Sequence, residues 1–154
     1  MFALMVLWVA TPTFAHGQEW QTEILESRGT AQGILQIVHV GEDGYRLMLD
    51  GRLLRELEGY RVSIGASFPS DNAPEYLLLI IDTGGGSCPQ EYRLLDLTPG
   101  RKPFLTGEFG NCSVMPSLQR QDQDVRIDFP PSEGTRAQTW VYKSEHHGLT
   151  NRID

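Results

Sequence analysis

From Ile34 onward the apolar residues of this chain recur at every second position, and that period constrains the fold more than any motif the chain contains. Tyr60, Val62, Ile64, Ala66 and Phe68 alternate with Arg61, Ser63, Gly65 and Ser67, and Val125, Ile127 and Phe129 alternate with Arg126 and Asp128. Successive side chains of a strand point to opposite faces, so each of these segments predicts a strand with one buried face. Residues 45–49 and 52–57 flank Asp50-Gly51, the pair that a two-residue type I′ hairpin favours because both central positions need positive φ. Further strands are expected at 34–40, 76–81, 91–97, 104–109 and 139–143.

The connections between these segments carry Gly, Pro, Asn and Asp, as in Gly41-Glu42-Asp43-Gly44, Thr98-Pro99-Gly100 and Pro130-Pro131-Ser132-Glu133-Gly134. Strand signals spaced by about 8 to 12 residues imply an all-β domain, an antiparallel sandwich, barrel or curved meander. Only residues 19–27 could hold a short helix, and no internal repeat is evident. The chain has 154 residues, a length that suits one domain able to bury a core without metal or oligomerisation.

The first fifteen residues, MFALMVLWVATPTFA, carry no charge, an apolar run from Phe2 to Ala10, the breaker Pro12 and the small residue Ala15. That is the pattern of a secretory signal peptide, and its apolar run is about half of the ~20 residues a membrane-spanning helix needs. The basic residue that usually opens such a segment is missing, which points to a start upstream of Met1. Cleavage after Ala15, or after Gly17, is expected, leaving 16–154 as a single periplasmic or secreted β domain with no stable membrane insertion. In an exported chain the two cysteines, Cys88 and Cys112, most simply form one disulfide. Closing that loop stabilises a fold by roughly 3.5 kcal/mol in the chain-entropy model.

A net charge of -7, with Lys102 and Lys143 as the sole lysines, argues against nucleic acid, since binding phosphates takes clustered cations. The stretch Leu77-Leu78-Leu79-Ile80-Ile81-Asp82-Thr83-Gly84-Gly85-Gly86-Ser87-Cys88 bears the one catalytic-looking motif. Asp82-Thr83-Gly84 resembles the catalytic turn of aspartic proteases, which implies a dimer sharing a proton between two aspartates. The family's small residue, outward strand and bracing apolar-Gly segment are absent here; Gly85, Gly86, Ser87, Cys88 and Pro89 follow instead. The same residues resemble the phosphate loop of actin and Hsp70 ATPases, but the helices, the second loop and the basic residues of that family are missing. The simpler expectation is a central strand, apolar on both faces, whose glycines let the chain reverse while Cys88 pins the loop to 109–113, with Asp82 as a turn former.

Gly85-Gly86-Ser87-Cys88, Tyr92, Leu94-Leu95 and Phe109-Gly110-Asn111-Cys112-Ser113 resemble a pattern found in small exported bacterial proteins with no assigned function. The resemblance spans about 30 residues and implies an extracytoplasmic β domain rather than an activity.

A second chemistry rests on histidine. Cleavage after Ala15 would make His16 the mature N-terminus, whose amine and ring, with His39, His146 or His147, could form a copper-binding histidine brace. This resembles the N-terminus of periplasmic copper-binding β-sandwiches and copper polysaccharide monooxygenases. Against that, a histidine next to a cleavage site arises by chance, and Glu145-His146-His147-Gly148 reads as an exposed tail. No Gly-x-Ser-x-Gly elbow is present, Asp122 and Asp124 lack the remaining ligands of a calcium loop, and Asn111-Cys112-Ser113 is a glycosylation sequon with a cysteine at its centre. The sequence thus favours a non-enzymatic module that binds a protein or envelope component, of the inhibitor or immunity type. Gly84, Gly85, Gly86, Ser87, Asn111 and Ser113 are its candidate contact residues.

Overall fold

The computed structural model describes residues 22–42, 44–69, 72–112, 116–132 and 134–152. Twelve strands among them make three four-stranded antiparallel sheets, each a meander of four consecutive strands, and no helix is present among the described residues. The first sheet holds β1 (Thr22–Thr30), β2 (Gly33–Val40), β3 (Gly44–Leu49) and β4 (Arg52–Glu58) in that order. The middle sheet holds β5 (Arg61–Phe68), β6 (Tyr76–Asp82), β7 (Gln90–Asp96) and β8 (Phe104–Leu105). The last holds β9 (Ser117–Gln121), β10 (Asp124–Phe129), β11 (Gln138–Lys143) and β12 (Gly148–Arg152).

Two separate cores show how the sheets stack. Leu35, Ile37, Leu47 and Leu57 of the first sheet pack with Leu77, Leu79, Ile81 and Leu95 of the middle sheet. Tyr76, Leu78, Tyr92 and Leu94, on the other face of the middle sheet, pack with Val125, Ile127, Phe129 and Tyr142 of the last. The middle sheet is therefore buried on both faces, which is why β6 reads as an unbroken apolar run while β2, β3 and β10 alternate.

Asp50 and Gly51 adopt φ of 47° and 74° in the tight turn joining β3 to β4, as the Asp-Gly pair predicts. The sheets are tied at the β1 edge. Next to a bulge between Ile64 and Ala66 on the edge strand β5, the Ile64 N–H donates to Glu26 Oε2 at 3.1 Å. Arg28 donates to Ser67 Oγ at 3.1 Å in the same region.

Five expectations change. The apolar residues of 60–68 do not share one face: Tyr60 is exposed ahead of β5, and the bulge at Gly65 sends Val62 and Ile64 to the core with the first sheet and Ala66 and Phe68 to the core with the last. The described part of 19–27 is strand, because β1 pairs along its length with β2. Its outward residues include the exposed Ile24 and Leu25, while Glu26 and Arg28 reach the middle sheet, so its alternation is hidden. The strand expected at 104–109 stops at Leu105. Beyond it Thr106 Oγ1 accepts the Leu94 N–H, and Phe109 makes a lone bridge to Tyr92. Residues 145–147 lie in the turn between β11 and β12, and Gly148 opens β12, so this segment is not a tail. The repeat that sequence does not show exists as structure, one meander used three times.

Candidate functional site

The segment from β6 to β7 and the segment after β8 meet at one end of the middle sheet, where Cys88 and Cys112 are disulfide-bonded with Cα atoms 5.0 Å apart. Between Asp82 and Gln90 the loop is held by its own polar groups. Thr83 N–H donates to Pro89 O at 2.8 Å, Thr83 Oγ1 to Cys88 O at 3.2 Å, and Gly84 N–H to Asp82 Oδ1 at 2.9 Å. The last bond is the Asx-type turn expected of Asp82, with Gly84 at a φ of 69°. Tyr60 N–H also donates to Asp82 O at 2.7 Å, fixing the entry to the loop.

The second cysteine-bearing turn is fixed from below. Gly110 has a φ of 122°, and a Cβ there would stand 2.7 Å from the Tyr92 ring, so this position needs glycine for conformation and for space. Asn111 is 5% exposed and its amide donates to Pro130 O at 3.2 Å and to Arg136 O at 2.9 Å. Gly84, Gly85, Gly86 and Ser87 are exposed, whereas Asn111 faces inward and fastens the 130–136 connection. Ser113 lies outside the described residues.

Acidic and basic groups alternate at this end, where Arg61 is the Cα partner of Asp82 across the β5–β6 ladder. Asp82 lies at its edge, and Glu91 and Glu108 are neighbours of Arg93, which pairs with Glu108. Partial burial and then the adjacent Glu108 charge raise the Glu91 carboxyl above its ordinary value. Burial also pushes the Tyr92 phenol up to about 12, so it remains a donor, reaching Gln90 Oε1 at 3.0 Å.

The described histidines do not converge on one site. His39 sits on β2 in the first sheet, its ring 5.0 Å from that of Tyr45 and its Nε2 3.2 Å from Glu42 O. His146 and His147 lie in the turn of the last sheet, and His16 lies outside the described residues, as does the expected leader. No group of three His, Cys, Asp or Glu side chains that could hold a metal occurs among the described residues.

His147 instead ends a polar chain that sequence reading missed. Asp96 is 2% exposed; its Oδ1 accepts from Thr98 N–H at 2.9 Å and Thr98 Oγ1 at 2.7 Å, and its Oδ2 accepts from the Tyr142 hydroxyl at 2.9 Å. With its one proton directed to Asp96, the Tyr142 oxygen accepts from His147 Nδ1, 2.8 Å away, while the His147 ring stacks on Phe104 at 4.1 Å. Burial first, and then the Asp96 carboxylate, raise the Tyr142 phenol far above its ordinary value. A carboxylate inside the run Leu94-Leu95-Asp96-Leu97 was the available signal, since a charge among core residues must find partners.

No family model matches the chain, and no curated protein or solved structure is significantly similar to it.

Proposed function

We propose that this protein is an exported, non-enzymatic binding module, and that the disulfide-clamped loop from Asp82 to Pro89 is its contact surface. The observation that carries this reading is a loop whose backbone is held at both ends and crosslinked, yet whose tip, Gly84 to Ser87, is open to solvent. A surface that is already ordered loses little conformational entropy on binding, and loops on rigid sheets are where recognition concentrates. The disulfide supports an oxidising compartment, periplasmic or secreted. The net charge of -7, with Asp82, Glu91 and Glu108 at this end, supports a cationic protein partner of the kind an inhibitor or immunity factor blocks. Asp82 serves here as a turn former, with Gly84 N–H on its carboxylate.

Gly86 provides the test. A Cβ added there meets nothing within 4 Å, so Gly86→Arg alters charge and shape at the tip without straining the fold. Capture of a basic protein from envelope extract by the oxidised protein is expected to weaken in Gly86→Arg and with rising salt. The control Gly29→Lys, an equally open position on β1, is expected to bind as the parent does. Equal capture by both variants overturns the assignment of this loop.

A further inference from the structure

We propose a second binding site, distinct from the disulfide loop: a cleft between the first and middle sheets that takes the apolar chain of a long-chain carboxylate. The cleft has a volume of about 480 Å³ and opens between two edge strands, β4 and β8. Its floor includes Leu47 and Leu95, residues of the aliphatic core that are 0% and 1% exposed, and its walls include Leu54 and Leu105. These two close the floor, and the apolar surface open to an entering group is that of Leu54, Pro103, Phe104 and Leu105, which are partly exposed. That volume lies within the range typical of small-molecule sites, which are apolar with a few placed polar groups.

The polar groups are Arg55 and Lys102. Arg55 is the Cα partner of Leu47 across the β3–β4 ladder, so it occupies a core-facing register position, yet it remains exposed because the cleft lies in front of it. Lys102 stands on the β8 side. Neither has an acidic partner among the described residues, in a chain whose net charge is -7 and whose other arginines include three paired across or along strands, Arg46, Arg93 and Arg126. Two unpaired cations at the mouth of an aliphatic slot complement one anionic head attached to one apolar tail. The opening is between sheets, at the level of the side chains. A methylene chain fits such an opening, whereas an added peptide strand would run along the backbone edge of β4.

An inward-pointing arginine on an edge strand also guards against edge-to-edge pairing, and the test separates the two roles. Parinaric acid, a fluorescent long-chain carboxylate, is titrated into the purified oxidised protein and then displaced by oleate, oleyl alcohol, butyrate or an extended acidic-apolar peptide. Saturable parinarate binding, with displacement by oleate and much weaker displacement by the other three, is expected. Joint Arg55→Gln and Lys102→Gln substitution is expected to weaken binding roughly tenfold, with an unchanged circular dichroism spectrum, and Arg55→Lys to retain most of it. Should the double variant misfold, Lys102→Glu, an exposed position at the mouth, supplies the same loss by repulsion. Absence of saturable binding, equal displacement by the alcohol, or preference for the peptide overturns the proposal. Self-association of Arg55→Leu without any carboxylate binding by the parent assigns Arg55 to edge protection alone and overturns it too.

Discussion

The two faces of the middle sheet solve the same burial problem with different chemistry. Toward the first sheet the interior is almost wholly Leu, Ile and Val, with Tyr45 at its margin. Toward the last sheet it is built on rings: Tyr92 packs edge-on to Phe129 at 4.9 Å, Phe109 to Phe129 at 5.9 Å, and Tyr76 to Tyr142 at 6.3 Å. Aliphatic side chains reward area with little regard for direction, whereas aromatic pairs and phenol hydroxyls reward particular geometries. The aromatic interior accordingly contains the buried Asp96 network and adjoins the disulfide, through the bridge between Tyr92 and Phe109. The aliphatic interior has neither, and at its boundary between β4 and β8 lies the cleft with the two unpaired cations. The difference teaches that the hydrogen-bonded, crosslinked interior and the purely aliphatic one lie on opposite faces of one sheet.

Truncating one residue in each interior gives the largest effects. Phe129→Ala removes the ring that both Tyr92 and Phe109 pack against and is expected to cost about 3–5 kcal/mol, while Leu79→Ala is expected to cost about 2–5 kcal/mol, toward the lower part of that range. Urea denaturation of both variants checks the order. A larger loss at Leu79 would show that the aliphatic side bears more of the stability. Next in size, the double Cys88→Ser, Cys112→Ser variant opens a crosslink between residues 24 apart in sequence and is expected to lose roughly 3.5 kcal/mol. Backbone amide exchange in that variant should quicken at 83–89 and 109–112 but not in β2 and β3; uniform acceleration would mean the clamp supports the whole stack.

A smaller effect isolates the polar network. Tyr142→Phe keeps the ring and its packing but leaves Asp96 Oδ2 without its phenol donor and His147 without its acceptor, at an expected cost of about 1–3 kcal/mol. His147→Ala is expected to cost less, since its ring lies on the surface over Phe104. Equal losses in the two variants, read by urea midpoint, would make the stacked imidazole rather than the buried bond the stabilising contact.

Most of the stack was legible where burial is one-sided or complete. The alternation in 125–129, the Asp50-Gly51 turn and the two-faced run before Asp82 each appear as read, and so does the pairing of Cys88 with Cys112. The strand in 60–68 is present, but its alternation is not one buried face, because the bulge at Gly65 divides its apolar residues between the two cores. Three edge strands, β1, β9 and β12, were not legible, for a common reason. β9 and β12 each offer one apolar side chain to the core, Leu118 and Leu149, and β1 turns Glu26 and Arg28 inward, so none carries a period. Of the contact residues, the glycines and Ser87 lie at the surface as a loop tip should, while Asn111 looked like a contact residue only because an inward amide and an outward one read the same. The Asp96, Tyr142 and His147 chain joins β7 to the β11–β12 turn, a pairing of distant segments that no local pattern encodes.

The smallest expected effect extends the comparison to a carboxylate on the outside of the aromatic half. Asp128, on β10, accepts from Arg126 Nε at 2.8 Å and from Thr139 Oγ1 at 2.6 Å. Partial burial alone would raise its carboxyl, but these two donors and the arginine charge outweigh burial and hold it below the usual carboxylate range. A depressed folded-state value means that the stabilisation is present above the ordinary aspartate value and fades as pH falls through the folded one. Because the pair is partly open to solvent, Asp128→Asn is expected to cost no more than about 1 kcal/mol at neutral pH. Urea midpoints of parent and variant should converge as the pH is lowered below the ordinary aspartate range. A gap that persists in acid would mean that the Thr139 hydrogen bond, which an amide oxygen can also accept, does not carry over to asparagine and that geometry rather than charge sets the cost.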